Sequence, residues 1–210
     1  MTDQQVYPPL TLRATGLSCG RSGLLLNENL DFSLTGGEAL LLRGPNGTGK
    51  TTLLLTLAGI VAPLAGHFAV EGAGDDQALL HYCGHRNAVK ARLSVVENLA
   101  FWAAINGATG MTPLAALGEV GLDALAGIDA GYLSAGQSRR LALARLLVSQ
   151  RPLWLLDEPT AALDDEGHRL VARLLGAHLA LGGLAIAATH DAIPLADPDR
   201  LRTLQLARAP

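Results

Sequence analysis

The sequence predicts an α/β fold: a parallel core sheet, a small antiparallel β subdomain beside it, and a helical subdomain. Three observations predict it. Ala39-Leu40-Leu41-Leu42, Leu153-Trp154-Leu155-Leu156 and Leu184-Ala185-Ile186-Ala187-Ala188 are short, continuous apolar runs, as expected of parallel strands covered on both faces. The first two runs are each followed by a helical pattern, at Thr52–Ala58 and Leu170–Leu181. Shorter, alternating runs precede the first of them, which suits antiparallel strands packed beside that sheet. The 210 residues form one domain, 1–210, with the helical subdomain inserted at about residues 88–150.

In chain order, residues 1–9 read as a lead-in ending in Pro8-Pro9. Leu10–Ala14 alternates like a half-buried strand, and Leu24–Leu26 and Leu30–Leu34 add two strand candidates before a Gly36-Gly37 turn. Ala39–Leu42 is a buried strand, and the helix after it stops at Gly59. His67–Val70 and Leu79–Cys83 read as strands separated by a turn at 72–76. Leu93–Ile105 has helical periodicity. The Ala- and Leu-rich stretch 112–131, broken by glycines, reads as one or two short helices. A long helix is expected from Ser134 onward, then the strand 153–156, the helix 170–181 closed by Gly182-Gly183, the strand 184–188 and a last alternating strand, 201–206.

Between the first buried strand and its helix lies Gly44-Pro45-Asn46-Gly47-Thr48-Gly49-Lys50-Thr51-Thr52. It fits G-x-x-x-x-G-K-[ST] in the strand–loop–helix setting that phosphate binding needs. The glycines let the chain curl with its N–H groups inward, and the helix adds its positive N-terminal end. In that pattern Lys50 reaches the β- and γ-phosphates and Thr51 ligates Mg²⁺.

Bulk properties remove several alternatives. Hydrophobic residues make up 49% of the chain and aromatics 4%, with a net charge of −3. Such a chain folds around a core but has neither the basic excess nor the stacking surface expected of a nucleic-acid binder. No export signal is expected in residues 1–5. No apolar run approaches the roughly 18 residues of a membrane span. Cys19 and Cys83 have no metal-site spacing and read as free thiols.

A second group of motifs narrows the class. Leu133-Ser134-Ala135-Gly136-Gln137 precedes the helix, and Leu155-Leu156-Asp157-Glu158-Pro159 follows it; then come Thr160-Ala161-Ala162-Leu163-Asp164 and Ala188-Thr189-His190-Asp191. In this order and spacing, over about residues 10–206, the chain resembles the ATP-binding-cassette family. LSAGQ is similar to its LSGGQ signature with one Gly→Ala change, and WLLDEP to its Walker B strand. Leu163 and Asp164 match its D-loop, and His190 its switch histidine. The resemblance implies a P-loop NTPase fold of the ABC type, ATP hydrolysis, and ATP and Mg²⁺ as ligands. Asp157 would hold Mg²⁺ with Thr51. Glu158 would polarise the attacking water, and His190 would contact the γ-phosphate, making Glu158, His190 and Lys50 the catalytic set. Residues 133–137 would act in trans, closing over the phosphate loop of a second copy in a head-to-tail dimer.

Two positions depart from the family pattern. The loop expected at Gly16–Ser22 has no aromatic residue to stack on adenine; Arg21 falls there, as a stacking guanidinium or simply a solvated one. Arg86 falls where the family's Q-loop glutamine is expected, and arginine cannot ligate Mg²⁺. The stretch Gly84-His85-Arg86-Asn87-Ala88-Val89-Lys90, with Leu93-Ser94 and Glu97-Asn98-Leu99 after it, resembles the ATPase subunits of the haem-export, cytochrome c maturation subfamily. That resemblance implies a peripheral subunit on the cytoplasmic face of the inner membrane, docked to membrane-embedded partner subunits through a groove between Arg86 and Trp102. Phe101 and Trp102 read equally as anchors in that groove or as helix core. The ATPase of another small transporter, or a soluble cassette ATPase, is the alternative. Of the remaining histidines, His168 and His178 read as solvated helix positions, while His67 and His81 receive no role.

Overall fold

In the computed structural model, which describes residues 7–21, 23–72 and 79–207, two sheets and five helices surround two hydrophobic cores. Strands β1 (Thr11–Arg21), β2 (Leu24–Thr35) and β4 (Ala65–Glu71) form an antiparallel sheet in the order β2-β1-β4. Strands β3 (Ala39–Arg43), β5 (Leu80–Cys83), β6 (Leu153–Asp157), β7 (Leu184–Ala188) and β8 (Leu201–Gln205) form a second sheet. Its order is β5-β6-β7-β3-β8, and every pair in it is parallel.

The continuous apolar runs make physical sense in the second sheet, because it is covered on both faces. Leu41, Trp154, Leu156, Ala185 and Ala187 point into one core, shared with helices α2 (Val95–Asn106), α3 (Pro113–Glu119), α4 (Ala135–Val148) and α5 (Asp165–Ala180). Leu40, Leu42, Leu153, Leu155, Ile186 and Ala188 point into the other. There α1 (Lys50–Leu57) contributes Leu53, Leu54 and Leu57, wedged between the two sheets. Burying each of these leucines is worth roughly 2 kcal/mol, so the helix that carries Lys50 and Thr51 is fixed by packing rather than by local propensity.

The structure revises the sequence reading in several places. The two strand candidates at 24–26 and 30–34 are one strand, with Asn29 at φ 51° inside it. The loop expected at 16–22 is strand through Arg21, broken by register shifts after Ala14, Leu17 and Cys19; such bulges let a strand bend without ending. Ser22, residues 73–76 of the expected turn and the export-signal reading of residues 1–5 lie outside the described residues. Stretch 112–131 does hold a short helix as expected, α3, followed by 3₁₀ turns at 123–125 and 130–132. Helix α5 begins at Asp165, five residues before the apolar pattern, because Asp164 caps it by accepting the Gly167 N–H at 2.8 Å.

His178 is not a solvated helix position. It is 3% exposed, stacks on Trp154 with ring centroids 3.9 Å apart, and bonds the Leu184 carbonyl at 3.1 Å. Burial drives its pKa down to about 4. His81 is buried as well, bonded to the Ser149 carbonyl at 2.6 Å, and burial lowers its pKa to about 4.

Candidate nucleotide site

The first wall of the site is the turn between β3 and α1. Gly44, Gly47 and Gly49 have φ of 145°, 84° and 89°, conformations that side chains rarely adopt. A Cβ on Gly49 would also collide with the side chains of Asn27 and Leu26 on β2. The antiparallel sheet therefore requires glycine here as much as the turn does. No side chain caps the N-terminus of α1, so its first N–H groups are left for an anion, and the helix dipole favours one. Thr48 closes the turn on the Pro45 carbonyl at 3.0 Å. Thr52 lies just behind Thr51 on α1 and is buried.

Lys50 is 7% exposed and folded onto its own loop, donating to the carbonyls of Gly44 at 2.6 Å and Pro45 at 3.2 Å. Its Nζ is 3.2 Å from His190 Nε2, which in turn is 3.0 Å from Asn46 Oδ1. A buried cation held by two neutral carbonyls and beside an imidazole nitrogen is poised to exchange them for a stronger anionic partner.

The second wall is the carboxyl end of the parallel sheet, where ligands of such sheets bind. Asp157 ends β6, and the Thr51 hydroxyl donates to its Oδ2 at 2.9 Å, with Oδ1 at 3.2 Å. Glu158 follows at φ 49°, its N–H bonded to the Ala188 carbonyl at 2.7 Å. This left-handed turn brings Glu158 Oε1 to 3.6 Å from His190 Nε2. The turn carrying His190 is itself clamped by Arg43, which donates to the Thr189 carbonyl at 3.0 Å and the Asp191 carbonyl at 2.6 Å. Sequence reasoning assigned Arg43 nothing; a charged residue closing the otherwise apolar β3 was its only signal.

Between these walls lies a cleft of about 690 Å³ that brings together Asn46, Lys50, Thr51, Asp157, Glu158 and His190. Arg21, Leu24 and Leu26 form one side of it, so the antiparallel sheet supplies aliphatic surface where a stacking aromatic was missed. Hard oxygen donors from Thr51 and Asp157, side by side, suit a Mg²⁺ ion that takes its remaining ligands from phosphate and water.

The structure does not bring Leu133–Gln137 into this cleft. Ser134 is the N-cap of α4, in a reciprocal capping box with Gln137. Ser134 and Ala135 are exposed, which explains why Ala is accommodated at 135. A Cβ on Gly136 would lie 2.9 Å from the Ala162 carbonyl, so the glycine that remains is the one packed against the turn before Leu163 and Asp164. Hydrogen bonding from Gly167 holds the Asp164 carboxyl below its ordinary range.

Arg86 also lies outside the nucleotide cleft. It lines a neighbouring groove of about 750 Å³ together with Tyr82, Trp102 and Arg145. His85 lines both the groove and the cleft, as do Arg21, Thr51 and Asp157. Trp102 and Phe101 are each partly exposed; the Arg145 guanidinium lies over the first at 4.3 Å and Lys90 over the second at 5.2 Å.

The cleft suits a nucleoside triphosphate with its Mg²⁺ ion at the carboxyl edge of a parallel sheet. Residues 27–161 match the family described as ABC transporter, more than half of the chain, and the protein belongs to that family as an ABC-type ATPase that binds ATP. Among curated relatives, it is 51% identical to "Cytochrome c biogenesis ATP-binding export protein CcmA" of Rhodopseudomonas palustris (strain HaA2), covering 87% of this chain and 92% of that one. It is 54% identical to the protein of the same name from Ruegeria pomeroyi, over 86% and 85% of the two chains. Among solved structures, a putative ABC transporter ATP-binding protein from Pyrococcus furiosus superposes with a TM-score of 0.80 at 25% identity, covering 93% of this chain and 97% of that one. The fold is also that of MJ0796, solved as a post-hydrolysis dimer bound to ADP and Pi, at a TM-score of 0.76 and 21% identity over 94% and 97% of the chains.

Proposed function

We propose that this protein is the ATP-hydrolysing subunit of a haem-export system serving cytochrome c maturation, and that it works as a head-to-tail pair on membrane-embedded partner subunits. The relatives' shared name supports the biological setting. The observation that carries the mechanism is the separation of two halves of a site. Lys50, Thr51, Asp157, Glu158 and His190 meet in one cleft, while Ser134 faces solvent elsewhere. A second copy supplies Ser134 and the N-terminus of α4 to the γ-phosphate, so the ATP lies between two chains.

In that arrangement the N–H groups of residues 44–51 and Lys50 bind the β- and γ-phosphates. Thr51 and Asp157 hold Mg²⁺, which supplies positive charge against the phosphate oxygens. Glu158 orients the attacking water and accepts its proton, while His190, 3.6 Å from that carboxylate, contacts the γ-phosphate. Leu163 and Asp164 lie beside the α4 cap and contact the second copy. ATP favours the closed pair and loss of the γ-phosphate releases it, a population shift driven by contacts made only to the triphosphate.

Among the described residues no helix is long and apolar enough to cross a membrane. The protein acts as a peripheral subunit at the cytoplasmic face of the inner membrane, its groove around Arg86 and Trp102 receiving the membrane partner. It forms one ATPase domain, with its helical subdomain at about residues 88–150. The test is complementation. In a bacterium lacking its own relative of this protein, the wild-type chain restores covalent haem staining of c-type cytochromes and the Glu158→Gln variant does not. Restored ATPase activity in membranes without any restored cytochrome c would assign the protein to another transporter.

A further inference from the structure

We propose that Arg139 is the positioning residue that holds Glu158 in its hydrolytic geometry and ties it to the segment 84–87 at the edge of the groove. Arg139 lies in the second turn of α4 and is 2% exposed. Its Nη2 donates to the carbonyls of Asp157 and Glu158, both at 2.7 Å, and its Nε to that of Pro159 at 3.2 Å. Its Nη1 donates to the Gly84 carbonyl and to Asn87 Oδ1, both at 3.0 Å. All of its hydrogen-bonding capacity goes to neutral oxygens, and among the described residues it pairs with no carboxylate.

A buried guanidinium without a counter-ion is costly unless its geometry is put to use. Here it turns three successive carbonyls, 157 to 159, toward one point. Glu158 must take φ 49° to do so, a conformation that is uncommon for Glu and persists only where its surroundings enforce it. The same turn aims the Glu158 carboxylate into the nucleotide cleft beside His190. On the other side, the fork grips the segment that carries His85, which borders cleft and groove, and Arg86, which lines the groove. Arg145 holds the same segment through the Asn87 carbonyl at 3.1 Å. A load on the groove that shifts residues 84–87 therefore pulls on the cation that shapes the catalytic turn. A lysine offers a point charge and cannot span these five acceptors.

The inference rests on the reading of Glu158 as the water-orienting carboxylate, and two variants separate the claims. Misplacing a catalytic group by about 1 Å costs up to roughly 100-fold, so Arg139→Lys is expected to lower kcat at least about tenfold while KM for ATP and the affinity for a fluorescent ATP analogue stay within about threefold. Asn87→Ala, at the rim, keeps the cation and the fold and lowers kcat by a smaller factor in the same direction. In the Glu158→Gln background Arg139→Lys is expected to change the residual turnover no further, because residues acting as one unit are non-additive. Wild-type kcat in Arg139→Lys, alongside an inactive Glu158→Gln, overturns the proposal and leaves the Glu158 role intact. A parallel loss of ATP affinity, melting temperature and kcat in both Arg139→Lys and Asn87→Ala also overturns it, by assigning Arg139 a purely structural role. Normal turnover of Glu158→Gln overturns the reading on which it rests.

Discussion

Thr51 Oγ1 donates to Asp157 Oδ2 at 2.9 Å, joining the first turn of α1 to the end of β6. Residues more than a hundred positions apart thereby meet at one point of the cleft. Both are hard oxygen donors, and neither alone makes a Mg²⁺ site. Asp157→Asn is therefore expected to raise the Mg²⁺ concentration for half-maximal turnover by about tenfold or more, and chelation by EDTA to abolish hydrolysis by the wild-type protein. Turnover at an unchanged Mg²⁺ requirement in Asp157→Asn would remove Asp157 from the metal site.

Lys50 and Glu158 are expected to fail differently. Lys50→Ala removes the cation facing the phosphates, so nucleotide binding and hydrolysis fall together, by about 100-fold or more in kcat/KM. Glu158→Gln retains ATP binding, loses turnover by a similar factor, and accumulates an ATP-bound dimer visible by size-exclusion chromatography coupled to light scattering. A Glu158→Gln variant that stays monomeric with saturating ATP and Mg²⁺ would contradict the head-to-tail pair.

Acid is expected to destabilise the fold through two buried histidines that the nucleotide site does not use. Burial holds the pKa of His81 and of His178 at about 4 in the folded protein, against an ordinary value of 6.5. The unfolded chain therefore binds more protons between these values. Their contribution to stability is fully present above pH 6.5 and is lost as pH falls toward 4. At pH 5 the loss is about 2 kcal/mol for each histidine. Denaturant titrations at pH 7 and pH 5 measure it, and His178→Gln should flatten the slope by about half.

Arg86 lines the groove and not the nucleotide cleft. Arg86→Gln is therefore expected to change the ATPase of the isolated protein less than about twofold, since surface changes away from the chemistry act weakly. Its effect on cytochrome c assembly in cells should be much larger. An equal loss in both assays would place Arg86 in the chemistry instead of the coupling.

The sequence was most legible where a motif is contiguous. Residues 44–51 and 133–137, and the pair Asp157-Glu158, reveal themselves because each is a local backbone device, a turn or a helix cap, with its chemistry carried by neighbours. His178 was misread because a polar residue on a helix is exposed by default, and only the packed Trp154 ring shows otherwise. Arg43 and Arg139 carried no motif at all; their partners lie at 189 and 191, and at 84, 87 and 157–159.

By itself, then, the sequence determined the class of fold, the anion loop, the helix cap at Ser134 and the membership of the chemistry, because apolar runs, glycines and capping residues act over a few neighbouring positions. Only the tertiary structure decided which polar groups meet. It fused 24–35 into one strand and set Leu24 and Leu26 beside the loop. It also left Ser134 outside the cleft and gathered the catalytic turn and the groove segment on the single cation of Arg139. Those outcomes depend on side chains from distant strands sharing one face of a packed sheet, and that sharing is fixed by burial and register rather than by local order along the chain.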